Sequence, residues 1–206
     1  KKQQDLRRMI ISHYQEYLLL HGHDPASIFA FCKDLGIDEA DFYRHFSGFE
    51  QIAGTFWRDQ FNDNLTRLQE SPEFDQFTVR EKLLSFYYSF FESLKSNRSY
   101  ALKTLEGKTF KSDQPELEGL KKDFKLWIKS LIAEGRSKEE IASRSPMSDQ
   151  YDRLFFYHFY FLLDFWRKDR SSNFERTDEA IEKSVNLAFD LIEKNALDTA
   201  FDFGKF

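Results

Sequence analysis

The chain has 206 residues, a formal net charge of −5 at pH 7 and a sequence pI of about 5.6. This length suits one domain or two small ones, and the acidic balance argues against nucleic-acid binding over the whole surface. The single cysteine excludes an internal disulfide and favours a reducing compartment, which predicts a cytoplasmic protein. The most apolar run, residues 154–166, is too short to cross a bilayer as a helix, so no membrane span is expected.

The composition favours helices throughout the chain. Only eight glycines and four prolines interrupt it, and long stretches are rich in Glu, Lys, Leu, Ala, Gln and Arg. No run alternates polar and apolar residues as a half-buried strand would. We therefore predict an all-α fold with about nine helices. The 24 phenylalanines suggest a thick core, an oligomer interface or an apolar pocket, and their number alone leaves these alternatives open.

Four helices are predicted in the first 68 residues. They cover about residues 6–20, 25–35, a short stretch after Asp38, and 49–68. Gly22 is expected to close the first helix as a left-handed cap, and Gly36 to close the second. Asp24 is expected to cap the second helix, because Pro25 follows it at the first helical position.

Residues 70–73, Glu-Ser-Pro-Glu, interrupt the helical pattern and mark the predicted domain boundary. We expect an N-terminal domain of residues 1–50, to which the helix at 49–68 is a connector. A C-terminal helical domain for dimerisation and ligand binding is expected over residues 71–206.

Two capping boxes are predicted to start helices in the C-terminal part. In a capping box, the first and fourth residues each satisfy the backbone N–H of the other. Thr78 and Glu81 form the first box, and Ser137 and Glu140 form the second, which should open a short helix that Pro146 ends. The other predicted helices cover about residues 98–110, a stretch from Leu120 that Gly135 ends, 148–168 and 177–195.

The residues from Gly22 to Glu50 carry a family-like spacing. Gly22 and Ser27 are followed by Gly36-Ile-Asp-Glu-Ala-Asp-Phe-Tyr-Arg-His-Phe46 and then by Glu50. This pattern resembles the helix-turn-helix segment of the TetR family of bacterial regulators, over about residues 10–56. The resemblance implies a TetR-like fold, in which an N-terminal three-helix domain binds DNA and a C-terminal helical domain binds a ligand and dimerises.

The aromatic spacing of this segment also has a physical reason of its own. Phe42 and Phe46 are four residues apart, so they share one helical face and can pin the third helix to the domain core. Tyr43 and His45 then point toward the duplex in a helix-turn-helix arrangement. Together with the resemblance, this pattern suggests five DNA-contacting residues: Ser27, Lys33, Tyr43, Arg44 and His45.

The charges of the segment depart from the family pattern. Residues 1–57 hold six Lys or Arg against eight Asp or Glu, a balance that is unusual in a domain that binds DNA mostly through phosphates. Asp38 stands where the family usually has Ser, and Phe49 where it has a phosphate-facing Lys. Asp38, Glu39 and Asp41 also complement the helix dipole without any function. Because acidic side chains can accept from cytosine, these acids weaken the DNA-reading hypothesis rather than exclude it.

Aromatic residues of the C-terminal part predict an apolar centre. Six of them fall on three helices that should converge: Phe86, Phe90, Phe124, Trp127, Phe155 and Phe159. They could line a pocket for a small apolar ligand. They could equally form a filled core, and the sequence does not separate the two.

A homodimer interface is predicted on the last two long helices. The run 154–163 is apolar around most of its circumference, so it must be covered on more than one side. Paired with the last helix, it would form a four-helix bundle across a two-fold axis, as the family resemblance also implies. The residues expected in this interface are Phe156, Tyr160, Leu163, Ile181, Val185, Ala188 and Ile192.

Two functional hypotheses follow. The first is a TetR-like, ligand-responsive transcriptional regulator that binds operator DNA as a homodimer. The alternative is a TetR-like fold that has lost DNA binding and binds an apolar lipid-like or isoprenoid-like ligand or a protein partner, which the acidic third helix would favour. The sequence has no zinc motif, phosphate loop or nucleophile elbow, so we expect no metal, no cofactor and no enzymatic activity.

Overall fold

The structure, a computed structural model, describes residues 2–107, 114–141 and 150–193. Within these ranges it contains nine α-helices, two short 3-10 helices and no strand, which confirms the predicted all-α class. The α-helices are α1 (Lys2–His21), α2 (Ile28–Leu35), α3 (Glu39–Tyr43), α4 (Phe49–Gln69), α5 (Val79–Lys95), α6 (Arg98–Thr104), α7 (Pro115–Ser137), α8 (Tyr151–Lys168) and α9 (Glu175–Glu193). The 3-10 helices are Phe74–Gln76 and Ser172–Phe174. The predicted helix ends near residues 110 and 195 lie outside the described ranges.

Glycines end the first two helices, as predicted. Gly22 has a φ of 73° and donates its N–H to the Leu18 carbonyl at 3.0 Å. Gly36 has a φ of 75° and donates to the Cys32 carbonyl. Glycine adopts this left-handed backbone without the steric penalty that a Cβ would bring, which explains its use at both helix ends.

The predicted start of α2 is wrong, because Ser27 rather than Asp24 caps this helix. Ser27 has an extended backbone, and its Oγ accepts the Ala30 N–H at 3.1 Å. The Asp24 carboxylate instead accepts a hydrogen bond from the Tyr14 hydroxyl at 2.6 Å. Asp24 therefore ties the loop to α1, and the helix begins only at Ile28.

The first predicted capping box is confirmed at the start of α5. The Thr78 N–H donates to the Glu81 carboxylate at 2.8 Å, and the Glu81 N–H donates to the Thr78 hydroxyl oxygen at 3.2 Å. This exchange satisfies two backbone donors that the helix itself leaves unpaired.

The second predicted capping box does not form. α7 continues through Gly135 and ends at Ser137, whose hydroxyl donates back into its own helix. The Glu140 carboxylate accepts the Val79 N–H at 2.8 Å and so caps α5 instead. Residues 142–149, which would hold the rest of the predicted short helix, lie outside the described ranges.

Two compact units divide the chain, and neither is continuous in sequence. Unit 1 combines Lys1–Asp59 with Leu94–Leu120, and unit 2 combines Gln60–Ser93 with Lys121–Phe206. The predicted boundary at residues 70–73 stays a prediction. None of the helices in the described ranges is long and apolar enough to cross a bilayer.

Contacts between α4 and α6 explain why unit 1 includes residues from the middle of the chain. The Trp57 indole N–H donates to the Thr104 hydroxyl at 3.0 Å in the buried interior. The Phe56 ring packs edge-on against Tyr100 with centroids 5.0 Å apart. These contacts hold the segment after residue 94 on the N-terminal helices.

Asp169 ends α8 and fixes the start of α9. Its buried carboxylate accepts the N–H groups of Ser171 and Thr177 at 2.8 and 2.9 Å, and both of their hydroxyls at 2.7 Å. Burial raises the pKa of Asp169, but these hydrogen bonds outweigh burial and lower it to about 2. The α8–α9 junction therefore depends on an ionised carboxylate.

We expect the stabilisation from Asp169 to fade in acid. A carboxylate with a folded-state pKa below its unfolded value contributes fully above the unfolded pKa and loses its contribution as pH falls through the folded one. The contribution should thus shrink by about 1 kcal/mol between pH 7 and pH 3. Urea unfolding of the wild type and Asp169→Asn at both pH values measures this change. An identical difference between the two proteins at both pH values would contradict it.

Candidate functional site

The turn between α2 and α3 has the backbone of a helix-turn-helix. After the left-handed Gly36, the Ile37 N–H donates to the Cys32 carbonyl at 3.0 Å and closes the turn. α3 starts one residue after Asp38, whose carbonyl accepts the Asp41 N–H at 3.0 Å. Asp38 occupies the N-cap position of α3, but its side chain makes no capping hydrogen bond. Its carboxylate is exposed at the start of the helix.

Aromatic rings form the core behind this turn: Tyr14, Phe31, Phe42, Phe46 and Phe49. The centroid of Phe31 lies 5.9 Å from Phe42 and 5.4 Å from Phe49. Phe49 also stacks on Tyr14 at 5.1 Å with 7° between the ring planes. Phe49, which stands where the similar family has a phosphate-facing Lys, is therefore half-buried against these rings, and Phe42 and Phe46 face inward as their spacing indicates.

The five residues predicted to contact DNA have different environments. Lys33, Tyr43 and Arg44 are exposed, with Tyr43 at 54%. The exposed Ser27 uses its oxygen to cap α2. His45 is half-buried, and its Nε2 is buried without a hydrogen-bond partner among the described residues. Four of the five are thus exposed, and Ser27 is the one of these whose oxygen is already used in a helix cap.

Phe29 is an exposed residue of the motif that the sequence reasoning missed. It lies on α2 one turn before Lys33 and is 62% exposed. The sequence could have indicated this exposure. Phe31 was expected to face the core, and residues two positions apart lie on nearly opposite sides of a helix, so Phe29 should face outward.

Few cations are available on the motif. Arg44 forms an ion pair with Asp41, three residues earlier. Asp34, next to Lys33 in sequence, is 2.8 Å from His13 Nε2. Lys33 itself makes no ion pair with a described residue, so it is the least engaged cation of the predicted set.

Acidic side chains at the start of α3 act on the turn through their negative charge. Burial raises the pKa of the Cys32 thiol, and the charges of Glu39, Asp38 and Asp41 raise it further. These three carboxylates lie at the start of α3, where a helix would approach DNA. The field that they produce opposes phosphate binding.

The residues predicted to line a ligand pocket are all buried in unit 2: Phe86, Phe90, Phe124, Trp127, Phe155 and Phe159. Five of them pack on one another, whereas the Phe155 ring contacts His158 and Phe189 instead. Phe86 lies 4.6 Å from Trp127, centroid to centroid. Phe159 lies 5.1 Å from Phe124 and 5.3 Å from Phe90. Rings at such distances are in direct contact. We call Phe86, Phe90, Phe124, Trp127 and Phe159 the ring cluster. Phe61, Tyr87 and Phe91 pack with it and were not predicted to line the pocket.

The residues predicted for a dimer interface lie largely inside unit 2. Five are buried within the single chain: Phe156, Leu163, Ile181, Val185 and Ile192. Tyr160 and Ala188 are partly exposed. The large apolar side chains that α8 and α9 expose are instead Leu154, Tyr157, Phe161 and Leu187.

The exposed apolar residues lie with half-buried neighbours in one stripe on each helix. The α8 stripe contains Leu154, Tyr157, His158, Phe161 and Phe165, and the α9 stripe contains Ala180, Ser184, Leu187, Ala188 and Leu191. A hydrogen bond of 2.7 Å between His158 Nε2 and Ser184 Oγ joins the two stripes. We call this joint surface the α8–α9 face.

His158 anchors the α8–α9 face to α5. Burial lowers its pKa to about 4, so the ring is neutral at pH 7. The Ser184 hydroxyl donates to the Ala180 carbonyl at 2.6 Å, so its oxygen accepts the His158 Nε2–H. His158 Nδ1 then accepts from the Tyr87 hydroxyl at 3.2 Å. The chain of bonds holds α5, α8 and α9 in one arrangement.

The described residues contain no metal centre. No group of three or more His, Cys, Asp or Glu side chains among them could hold an ion. The rings of His21 and His23, at the end of α1, lie 6.2 Å apart, and His21 packs on Tyr17 at 4.2 Å.

Comparisons with known proteins agree with this architecture. Residues 82–206 match the family described as tetracyclin repressor-like, C-terminal domain. A crystal structure of a Shewanella sp. PV-4 protein assigned to the TetR family of transcription regulators has a TM-score of 0.54 and 14% sequence identity, and the match covers 87% of this chain and 95% of that chain. That likeness supports the fold alone, and no curated protein matches the sequence. Because the family match spans more than half of its length, the chain belongs to the tetracyclin repressor-like (TetR) family.

Proposed function

We propose that this chain is a transcription regulator that binds operator DNA as a homodimer. The observation that carries the proposal is the motif of α2, the left-handed Gly36 and α3, whose ring core leaves Lys33, Tyr43 and Arg44 on the outside. In a helix-turn-helix, the second helix enters the major groove and the first crosses the phosphate backbone. Lys33 on α2 then contacts phosphate, and Tyr43 and Arg44 contact the groove or its edge.

The acidic charge of the motif determines how much of the affinity for DNA would be non-specific. Phosphate contacts supply most non-specific affinity for DNA, and this motif has few cations to make them. Asp38 and Glu39 repel phosphates, but a carboxylate can accept a hydrogen bond from the amino group of cytosine. We therefore expect weak non-specific binding and a strong dependence on the base sequence.

The α8–α9 face supports the homodimer. Leu154, Tyr157, Phe161 and Leu187 would be exposed to water in a monomer, and contiguous apolar patches of this kind mark interaction surfaces. A two-fold contact between two copies of the face covers the same residues in both. A dimer also supplies two motifs for two half-sites.

A selection of random DNA duplexes with the purified protein tests the proposal. We expect a palindromic or nearly palindromic sequence to be enriched at ~150 mM salt, because a two-fold dimer presents two equivalent motifs. No enrichment, even at ~50 mM salt, would overturn the proposal. Mass spectrometry of the purified protein for a co-purified apolar molecule would then test the alternative, a fold that has lost DNA binding.

Reversing the charge of Lys33 should weaken operator binding strongly. The Lys33→Glu dimer loses two phosphate contacts and gains two repulsive charges, so we expect about a 100-fold loss of affinity at ~150 mM salt. The salt dependence should also become shallower by about two units of slope. Arg44→Glu should act in the same direction.

Mobility-shift titrations over a range of salt measure both effects. Lys122→Glu is the matched control, because Lys122 is equally exposed but lies on α7 in unit 2. Operator affinity of Lys33→Glu within about twofold of the wild type would remove Lys33 from the contact set.

A further inference from the structure

A groove with a volume of about 650 Å³ lies in unit 2, where α8 ends and α9 begins. Its walls include two phenylalanines and three cationic residues: Phe161, Phe165, Lys168, Arg170 and Arg176. Sites for small organic ligands have volumes of this size, with mostly apolar walls and a few polar groups. The groove lies outside the ring cluster, and none of its residues belongs to the helix-turn-helix.

Two aromatic rings form the apolar wall of the groove. Phe161 and Phe165 are one turn apart on α8, with ring centroids 6.2 Å apart. Phe161 exposes 54% of its surface. An exposed ring at the mouth of a groove offers area that a ligand can cover.

The two acids that line the groove, Asp164 and Asp169, already have partners. Asp164 lies 2.6 Å from Arg167 and also pairs with Lys168. Asp169 accepts the hydrogen bonds from Ser171 and from the start of α9 described above. Asp164 is thus paired, and Asp169 keeps its negative charge but forms no ion pair with either arginine of the groove, so three cations line the groove against two carboxylates.

Two of those cations have no ion pair with any described residue. Arg170 and Arg176 both line the groove. Glu179, which follows Arg176 by three residues, forms its ion pair with Lys183, and the charge of Arg176 lowers the pKa of Glu179 only as a smaller effect beside that of Lys183. Guanidinium groups bind carboxylates and related anions through paired hydrogen bonds, so the polar side of the groove suits an anion.

We propose that this groove binds a small apolar monoanion, such as an aromatic or short-chain carboxylate. The apolar part packs on Phe161 and Phe165, and the acid group binds Arg170 and Arg176. Such a ligand needs no opening of the ring cluster. Phe161 also belongs to the α8–α9 face that the proposed dimer would cover, so the ligand and the second copy would compete for this ring.

Two related fluorescent dyes separate the charged and apolar parts of this site. Anilinonaphthalene sulfonate carries the anion, and N-phenylnaphthylamine has the same rings without it. Each dye is titrated into the full-length wild type, into Arg170→Gln/Arg176→Gln, and into the matched control Arg8→Gln/Arg153→Gln. The control removes two other exposed arginines that lie outside the groove. Circular dichroism verifies that the variants are folded.

We expect the groove variant to bind the sulfonate dye about tenfold or more weakly than the wild type, because two charge-assisted contacts are lost. Its affinity for the neutral dye, and both affinities of the control, should stay within about twofold. The proposal is overturned if the wild type does not bind the sulfonate dye, if the groove variant binds it as the wild type does, or if both dyes weaken equally. None of these measurements involves DNA, so they are independent of the proposed operator binding.

Discussion

Replacing Phe124 with alanine should lower the free energy of unfolding by about 3–5 kcal/mol. Phe124 is fully buried in unit 2, and its ring centroid lies 5.1 Å from Phe159 and 6.0 Å from Trp127. Alanine removes the ring, and the neighbouring rings are held by their own contacts, so the cavity cannot collapse completely. Urea unfolding followed by circular dichroism measures the loss.

Leu126→Ala provides the control for this substitution. Leu126 lies two residues later on α7 and is 58% exposed, so its removal should change the stability by less than about 0.5 kcal/mol. A loss below about 1 kcal/mol for Phe124→Ala would mean that the ring cluster is loosely packed. An open apolar pocket would then become the better interpretation of these rings.

Features that depend on neighbours within one helical turn could be predicted from the sequence. The glycine caps and the Thr78 capping box are of this kind, because each partner lies a few residues away. The predictions at Asp24 and Glu140 fail because their partners, Tyr14 and Val79, are distant in sequence. A local pattern shows which residues can cap a helix, but not which tertiary contact engages them first.

The sides of α8 could not be assigned from its sequence. Aromatic and aliphatic residues surround most of this helix, so periodicity selects no single buried face. Phe156 and Leu163 were predicted to face a partner but lie in the core, whereas Tyr157 and Phe161 are exposed. One residue along a helix is a rotation of about 100°, and only the packing of α5, α7 and α9 decides where that rotation starts.

The candidate DNA-binding site also combines features that the sequence predicts with one that it does not. Residue spacing predicts the turn at Gly36 and the inward direction of Phe42. It does not predict that Phe49, which stands where the family has a phosphate-facing Lys, stacks on Tyr14. Position 49 therefore contributes ring packing rather than charge, so the proposed DNA recognition would depend on residues of α2 and α3.

Glutamates at Tyr157 and Leu187 should convert the proposed homodimer into a monomer. Both residues are exposed on the α8–α9 face, at 54% and 60%. A two-fold dimer of the double variant would bury four carboxylates against apolar surface, at a cost of several kcal/mol. We expect the dimer dissociation constant to rise about 1,000-fold or more, and operator affinity to fall at least about 100-fold because the two motifs are no longer linked. Sedimentation equilibrium and operator titrations measure the two effects.

Tyr157 and Leu187 are both exposed in the single chain, so the double variant tests pairing rather than folding. The substitutions remove no core contact, so the circular dichroism spectrum should stay that of the wild type. Leu126→Glu adds the same charge at an exposed leucine on α7 and should leave pairing and operator affinity unchanged. If the double variant stays dimeric, the copies pair through another surface. If it is monomeric yet binds the operator as tightly as the wild type, recognition does not require two linked motifs, and the proposed two-fold arrangement is wrong.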